Sequence, residues 1–536
     1  MRPITNSFFM KRISLLVLAT MFAVPASFAG GLLTNTNQSV HFLRNPARNA
    51  SMEIDAAYTN PAGLTFLSDG FHFSLTNQSA FQTRTINSTF TGFAFAEGNN
   101  GSAAKQFKGE ASVPIIPSFQ LAYKRDKVVF STSFGITGGG GKAIFNEGLA
   151  SFESSISMLP IMLSQKGIET SAYSVDSYME GRQYIFGWQL NGSYQLSEHF
   201  SVGVGLRLNV VNNKYVGHLR NISINPTHPA LNPTGSMMKA TDFFNGAYTA
   251  ATSTANTMAG IESQGYGAAT LGQLVNAGMM TQAQVDQLAQ GLGVTSATAG
   301  AMDVSSVKQG YVTVAATNKA YEESVGDKNL DCTQTGWGVT PILSLNYHTG
   351  GLNLAARYEF VTSLNVQNKT KVDDTGLYTD GVNTPHDIPA LLSLGAEYAI
   401  TKHWKIAAGY HHYFDSDAEM ANDKQQYIDG GINEFLFGTE YQLTEQLLLS
   451  FGGQITRSGV TDDYQTDMSF SLNSYSLGFG GAYNISPALR LNLAYFFTDY
   501  DDWTKTSTNY NGTGLPGTDV FARTNKVFGI GIDYKF

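Results

Sequence analysis

The 536-residue sequence contains one cysteine, Cys332, so no internal disulfide can form. No Cys/His cluster has the spacing of a zinc site, which removes the commonest structural metal. Charge is scarce as well. Asp, Glu, Lys and Arg make up 14% of the chain, against roughly 25% in an average soluble domain. The formal charge is −9 with no basic stretch, which argues against nucleic acid as a partner. After the N-terminal segment there is no apolar run of about 18 residues, so no helix bundle crosses a membrane. No histidine sits in a recognisable nucleophile motif. The sequence therefore predicts no catalytic residue, no metal and no cofactor. Glycine and aromatics are abundant instead, with 55 Gly, 26 Tyr and 34 Phe.

The first residues form a secretory signal. Lys11 and Arg12 precede an apolar stretch from Ile13 to Val24, and Ser27 and Ala29 place small residues at the −3 and −1 positions of a cleavage site. The apolar stretch is shorter than the roughly 20 residues a membrane span needs. A signal peptide over 1–29 is expected. Cleavage removes Arg2, Lys11 and Arg12 and takes the charge from −9 to −12. Export with one cysteine points to the envelope of a Gram-negative bacterium.

In the remaining chain the dominant period is two. At the C-terminus Phe528, Ile530, Ile532, Tyr534 and Phe536 alternate with Gly529, Gly531, Asp533 and Lys535. In a strand these sets occupy opposite faces. The same division recurs at Phe200–Leu208, Leu352–Phe360 and Leu489–Phe497. One face is bulky and apolar; the other is small or polar, with few of the Lys and Glu of a solvated surface. That suits a lipid-facing exterior around a polar lumen.

The connections support closure. Short turns at Lys124–Asp126, Leu196–Glu198, His348–Gly350, Ile400–Lys402, Leu443–Glu445 and Ile485–Pro487 alternate with long segments near 88–106, 138–172, 218–330, 371–386, 416–430, 461–468 and 501–519. Six turns and seven loops join about fourteen strands, an even number, as in transmembrane antiparallel β-barrels with tight periplasmic turns and long outer loops. Closure leaves no unpaired edge in lipid. Tyr123, Tyr194, Tyr347, Trp404, Tyr441, Tyr483 and Tyr534 lie near strand ends, where an interfacial girdle belongs. The expected fold is all-β, a barrel over 69–536 with its largest outer loops at about 138–172 and 218–330.

Residues 30–68 do not alternate. Asn45-Pro-Ala47 and Asn60-Pro-Ala-Gly63 mark turns or helix ends, and residues 50–58 predict a short helix between them. Too apolar for a disordered tail, this segment is expected to plug the barrel. The apolar leading segment, the Asn60, Pro61, Ala62, Gly63 turn, about fourteen strands and the terminal Phe536 together resemble the FadL family of outer-membrane transporters for long-chain fatty acids and other hydrophobic compounds. The resemblance implies that residues 30–68 form a hatch inside the lumen. It also implies an inward kink in the third strand that opens the wall sideways, so that ligand leaves passively into the membrane. Here that strand is predicted near Lys127–Thr137, and Gly135 or Gly138 would hold the kink, because glycine in a strand permits a bulge. The Gly138–Gly141 run reads equally as the start of a loop.

A hydrophobic ligand needs an apolar capture surface in the outer loops. Met158, Leu159, Ile161 and Met162 lie in the 138–172 loop, and Met279, Met280, Val285, Leu288 and Leu292 in the 218–330 loop. Thr281 with Gln284 forms a capping box opening a helix there, whose apolar stripe serves equally as the loop's own core or as an adaptable ligand surface. In the resembled family the capture groove lies between the third and fourth outer loops, whereas the fourth loop here is short and polar. A ligand carboxylate would want an inward cation. Arg357 has Glu359 on its own face, so Arg207 and Arg490, without such a neighbour, are the expected contacts. The remaining expected partners are outer-membrane lipid and lipopolysaccharide, and the barrel-assembly machinery through Phe536; the barrel is expected to be a monomer. The alternative reading is a diffusion porin for small hydrophilic solutes.

Overall fold

The computed structural model describes residues 32–536; the signal-peptide reading of 1–29 lies outside them. Fourteen antiparallel strands close on themselves. They are β1 Gly70–Phe90, β2 Ala104–Arg125, β3 Val128–Phe145, β4 Tyr173–Gln195, β5 Phe200–Ile224 and β6 Lys328–Thr349. After an interruption in each, β7 joins Leu352–Glu359 to Asn365–Asp373 and β8 joins Asn383–Pro385 to Leu391–Thr401. Then follow β9 Trp404–Tyr413, β10 Ile432–Gln442, β11 Leu447–Arg457, β12 Ser474–Asn484, β13 Leu489–Tyr500 with Trp503–Ser507, and β14 Gly517–Lys535. The last strand pairs with the first from His72↔Lys535 to Phe90↔Gly517, which closes the cylinder.

Side-chain direction follows the alternation. On β14 Phe528, Ile530, Ile532 and Tyr534 point outward and stay exposed, while Val527 and Asn525 point inward and are buried. The seven girdle residues, Tyr123 to Tyr534, are likewise all exposed. Among the described residues no helix is long and apolar enough to cross a membrane. A cylinder with an apolar exterior and a polar interior spans lipid through its strands.

The six short turns fall where the pattern puts them, and the long segments all emerge at the opposite end. The largest, between β5 and β6, is helical: α4 Ala240–Ile261, α5 Leu271–Asn276, α6 Gln282–Leu292, α7 Ser296–Ala301 and α8 Val304–Ser324. These follow α1 Val40–Arg44 and α2 Ala56–Thr59 in the leading segment and α3 Ala150–Gln165 in the β3–β4 connection. Thr281 caps α6 through the capping box with Gln284.

Two expectations are corrected. Of residues 50–58 only the end is helical, because Ser51 and Asp55 turn their side chains onto Arg48 and hold the chain in turns. The third strand extends beyond Thr137 to Phe145, so the Gly138–Gly141 run lies inside β3 rather than opening a loop.

Candidate functional site

Residues 32–68 lie among the inward side chains of the barrel and are almost wholly buried. Their backbone polar groups are met by lumen residues rather than water, as buried amides require. At one end Ser193 Oγ and Ser201 Oγ donate to the carbonyls of Pro61 and Ala62. The Ala62 N–H donates to Ser344 Oγ at 3.1 Å. Asn60 donates its amide to Asn346 at 2.7 Å and to the Ser51 carbonyl at 3.0 Å. A Cβ on Gly63 would fall 2.5 Å from that same carbonyl, so this position tolerates only glycine. The Asn-Pro-Ala-Gly turn is thus the point where the segment is fastened to β4, β5 and β6.

Space for the segment comes from glycines on the inner wall. A Cβ on Gly395 would stand 2.6 Å from the Ala50 nitrogen, one on Gly452 2.7 Å from Pro46 Cδ, and one on Gly529 2.6 Å from Leu43. The small face of the alternation is therefore the bed on which the leading chain lies. Charged groups complete the seat. Arg48 contacts Glu53 and Asp55, each at 2.8 Å. Arg44 reaches Glu440, whose other oxygen faces Lys405 at 3.2 Å. His41 meets Asp533 at 2.9 Å.

The wall is interrupted beside this segment. β2 and β3 pair from Arg125↔Val128 to Phe119↔Phe134 and again at Glu110↔Ile144, but not between. Across the interruption β3 bulges against β4, advancing five residues from Ile136 to Gly141 while β4 advances three, from Phe186 to Gln183. Gly139 and Gly141 take φ values of 80° and 73°, which branched or bulky residues avoid. The displaced strand bonds to the leading segment instead of β2. Asn35 N–H donates to the Thr137 carbonyl at 2.8 Å, and Gly139 N–H to the Leu33 carbonyl at 3.2 Å. Side chains add two more bonds, Asn35 Nδ2 to the Gly139 carbonyl and Gln38 Nε2 to the Ile136 carbonyl. A Cβ on Gly135 would collide with Gln38, and one on Gly138 with the Leu33 carbonyl. Both glycines singled out in the sequence thus lie in the stretch that leaves β2.

The deserted stretch of β2, residues 111–118, holds Pro114 and Pro117. Proline lacks the N–H that an unpaired edge would leave unsatisfied, and Pro117 serves so on the β3 side, whereas the Pro114 carbonyl and the Ile116 N–H turn to Ser79 and Asn77 of β1. Two prolines three apart inside an alternating segment were a legible mark of a sheet edge, and the sequence reading passed over them. It also gave the inner glycines no partner, because the contact joins residues hundreds of positions apart.

The other candidate residues are dispersed. Arg207 is not an unpaired cation: it meets Glu359 at 2.6 Å and lies over the Tyr58 ring at 5.0 Å. Glu359 also holds Arg357 at 2.9 Å. Arg490 pairs with Glu53 at 3.3 Å and lines a cavity of about 570 Å³ at the short-turn end of the barrel. The partners missed from sequence sit on another strand and on the leading segment, beyond the reach of a same-strand comparison.

Met280, Val285 and Leu288 are buried in the core of the helical loop with Leu292 packed against it, while Met279 is exposed. That stripe forms an internal core, not an open capture surface, because α4 and α8 cover it. Met158, Leu159, Ile161 and Met162 lie on α3, with Leu159 buried and the other three half-buried. Helix α3 sits over a largely apolar cluster that includes Phe107, Phe145, Met468, Phe470 and Phe521 at the long-loop mouth. Asp467 accepts a hydrogen bond from the Ser151 N–H at 2.7 Å there, and burial pushes its carboxyl up to about 6. Among the described residues no group of His, Cys, Asp or Glu is arranged to hold a metal.

No family model and no curated protein matches the sequence. Solved structures do. A Pseudomonas aeruginosa FadL homologue superposes with a TM-score of 0.56 over 95% of this chain and 100% of its own, at 12% identity. The Pseudomonas putida toluene transporter TodX gives 0.47 at 16% identity, over 96% and 100%. The Ralstonia pickettii toluene transporter TbuX gives 0.45 at 12% identity, over 94% and 99%. The first of these likenesses establishes a common fold.

Proposed function

We propose that this chain is a FadL-type channel of a Gram-negative outer membrane, taking up long-chain fatty acids or other hydrophobic small molecules without an energy source. The observation that carries the reading is the interruption between β2 and β3. A porin for hydrophilic solutes needs a continuous wall and an open bore. Here the bore is filled by residues 32–68, and the wall is unpaired where the filling segment bonds to β3.

An apolar solute crosses the hydrated lipopolysaccharide layer poorly and gains from an exit that avoids water. Capture falls to the long-loop mouth, where Met158, Ile161 and Met162 are partly open over an apolar cluster. Methionine suits varied ligands because its side chain is flexible and polarisable. Residues 32–68 act as the hatch. Shifting the bonds that Asn35 and Gln38 make to β3 frees the passage beside Ala111 and Val113, and the solute leaves sideways into lipid.

Uptake of radiolabelled oleate and of toluene by cells with and without the protein tests this, the two probes differing in whether a carboxylate is present. Faster uptake of either probe together with low ion conductance in planar bilayers is the expected result. A large steady conductance with no gain in hydrophobic uptake would establish a porin instead.

A further inference from the structure

The outer surface of β3 to β7 carries a feature that transport does not use. Lys142, Arg182 and Lys214 are in-register neighbours on three consecutive strands. Lys214 pairs with Thr333, and Thr333 with Lys369, so the row continues to β7. All four cations share the outward parity of Tyr184, Phe186 and Trp188, and Lys371 stands two residues beyond Lys369 on the same face. Five cations are thus gathered in one band. Two carboxylates answer them: Glu180 lies 2.8 Å from Lys142, and Asp331 lies 3.6 Å from Lys214 and 3.8 Å from Lys371. Among the described residues Arg182 and Lys369 have no carboxylate partner; Arg182 bonds only to Asn212, and its Nε has no acceptor.

The height of the band is set by the strand. Tyr194 belongs to the girdle at the short-turn end, and Arg182 is twelve residues further along β4. At about 3.3 Å per residue and a tilt near 45°, that climb is about 28 Å, roughly the thickness of the apolar belt. Arg182 therefore stands at the level of the head groups of the outer leaflet, and the row slopes past it by about 3 Å per strand because the hydrogen-bond direction tilts with the strands. Directly below it the wall is indented into an open groove of about 830 Å³ between β4, β5 and β6, lined by Tyr184, Phe186, Leu208, Val210 and Trp337. Trp337, 69% exposed, forms one rim.

We infer that this face binds a phosphorylated, multiply acylated glycolipid of the outer leaflet, chemically of the lipid A class. Its phosphates lie on Arg182, Lys214 and Lys369, and one acyl chain lies in the groove beneath. Charge complementarity selects this occupant: a guanidinium and ammonium groups at head-group height attract phosphate oxygens, whereas an uncharged lipid gains only the groove. The inference rests on the outer-membrane placement proposed above, and it concerns the outside of the wall rather than the lumen.

Native mass spectrometry of the full-length protein in detergent tests it, with bis-phosphorylated hexa-acyl lipid A as probe. A one-to-one adduct is expected, weakened at least tenfold in R182E/K214E/K369E and several-fold with the mono-phosphorylated probe. The single variants R182Q and K369Q, each weakening the adduct in part, carry the test if the triple variant does not fold by its heat-dependent gel mobility. W337S should weaken lipid A binding while leaving the response to phosphate number intact. Equal retention of lipid A by the charge-altered variants would overturn the inference, as would diacylglycerol or oleate binding as tightly as lipid A. Fractionation of the cell envelope judges the outer-membrane placement separately, since the detergent measurement does not depend on it.

Discussion

Removing the bulge in β3 is the most direct perturbation of the proposed exit. The strand carries two residues more than β4 between Ile136 and Gly141, so deleting Gly139 and Gly140 restores equal lengths. Straightened, β3 can pair with residues 111–118 of β2. The seven residues then left between Phe134 and Ile144 face these eight with one bulge and, less the donor that Pro117 lacks, allow about six ladder bonds, worth about 6 kcal/mol at a net 1 kcal/mol each. The deletion also breaks the four bonds between β3 and the leading segment, at about 1–2 kcal/mol each once buried partners are left unmet, or about 4–8 kcal/mol. The two sides nearly cancel. The variant should fold, reach the membrane and resist denaturant about as well as the wild type, yet lose at least nine-tenths of oleate uptake. Hydrogen exchange at residues 111–118 reports whether the wall has closed. If those amides become protected while uptake continues at the wild-type rate, lateral exit through this interruption is refuted.

Four further outcomes follow from the seating of the leading segment and from the loops. Gly395→Val places a side chain against the backbone of Asn49 and Ala50, an overpacking of about 1–3 kcal/mol; it should displace the segment and raise single-channel conductance, and unchanged conductance would show that the segment does not block the bore. Arg48→Ala leaves Asp55, 1% exposed, without its cation, a loss of about 3–5 kcal/mol that should appear as protease sensitivity of residues 32–68. The buried Asp467 carboxyl has its pKa raised to about 6 from 3.8, so docking of residues 458–473 onto α3 is strongest at low pH. About 3 kcal/mol of that docking is lost as pH rises from about 4 to just above 6, roughly half of it above pH 5, measurable as faster proteolysis of the loop at pH 7.5 than at pH 5. Thr281→Ala removes the cap of α6 and should cost the helical loop about 1 kcal/mol with no effect on oleate uptake, since that core faces itself.

The division between local and distant information explains what was legible. The barrel, its strand number and the placement of short and long connections follow from a period-two pattern and turn residues, both properties of a few consecutive positions. The same holds for the capping box at Thr281, where a hydroxyl and an amide three residues apart satisfy each other. Gly135 and Gly138 could be named because glycine inside a strand weakens the ladder wherever it stands.

Charge pairing was not legible in this way. Arg207 looked free because Glu359 approaches it from another strand, 152 positions away, and Arg490 because Glu53 reaches it from the leading segment. The Met280–Leu288 stripe left two readings open, and only the packing of α4 and α8 chose the internal one. The amino-acid sequence alone set the cylinder and its oily exterior, because lipid imposes one rule on every strand in turn. Closing the cylinder decided what each inward side chain meets. Once the leading chain lies within, glycines become a bed, serines become fasteners and a run of four glycines becomes a breach in the wall.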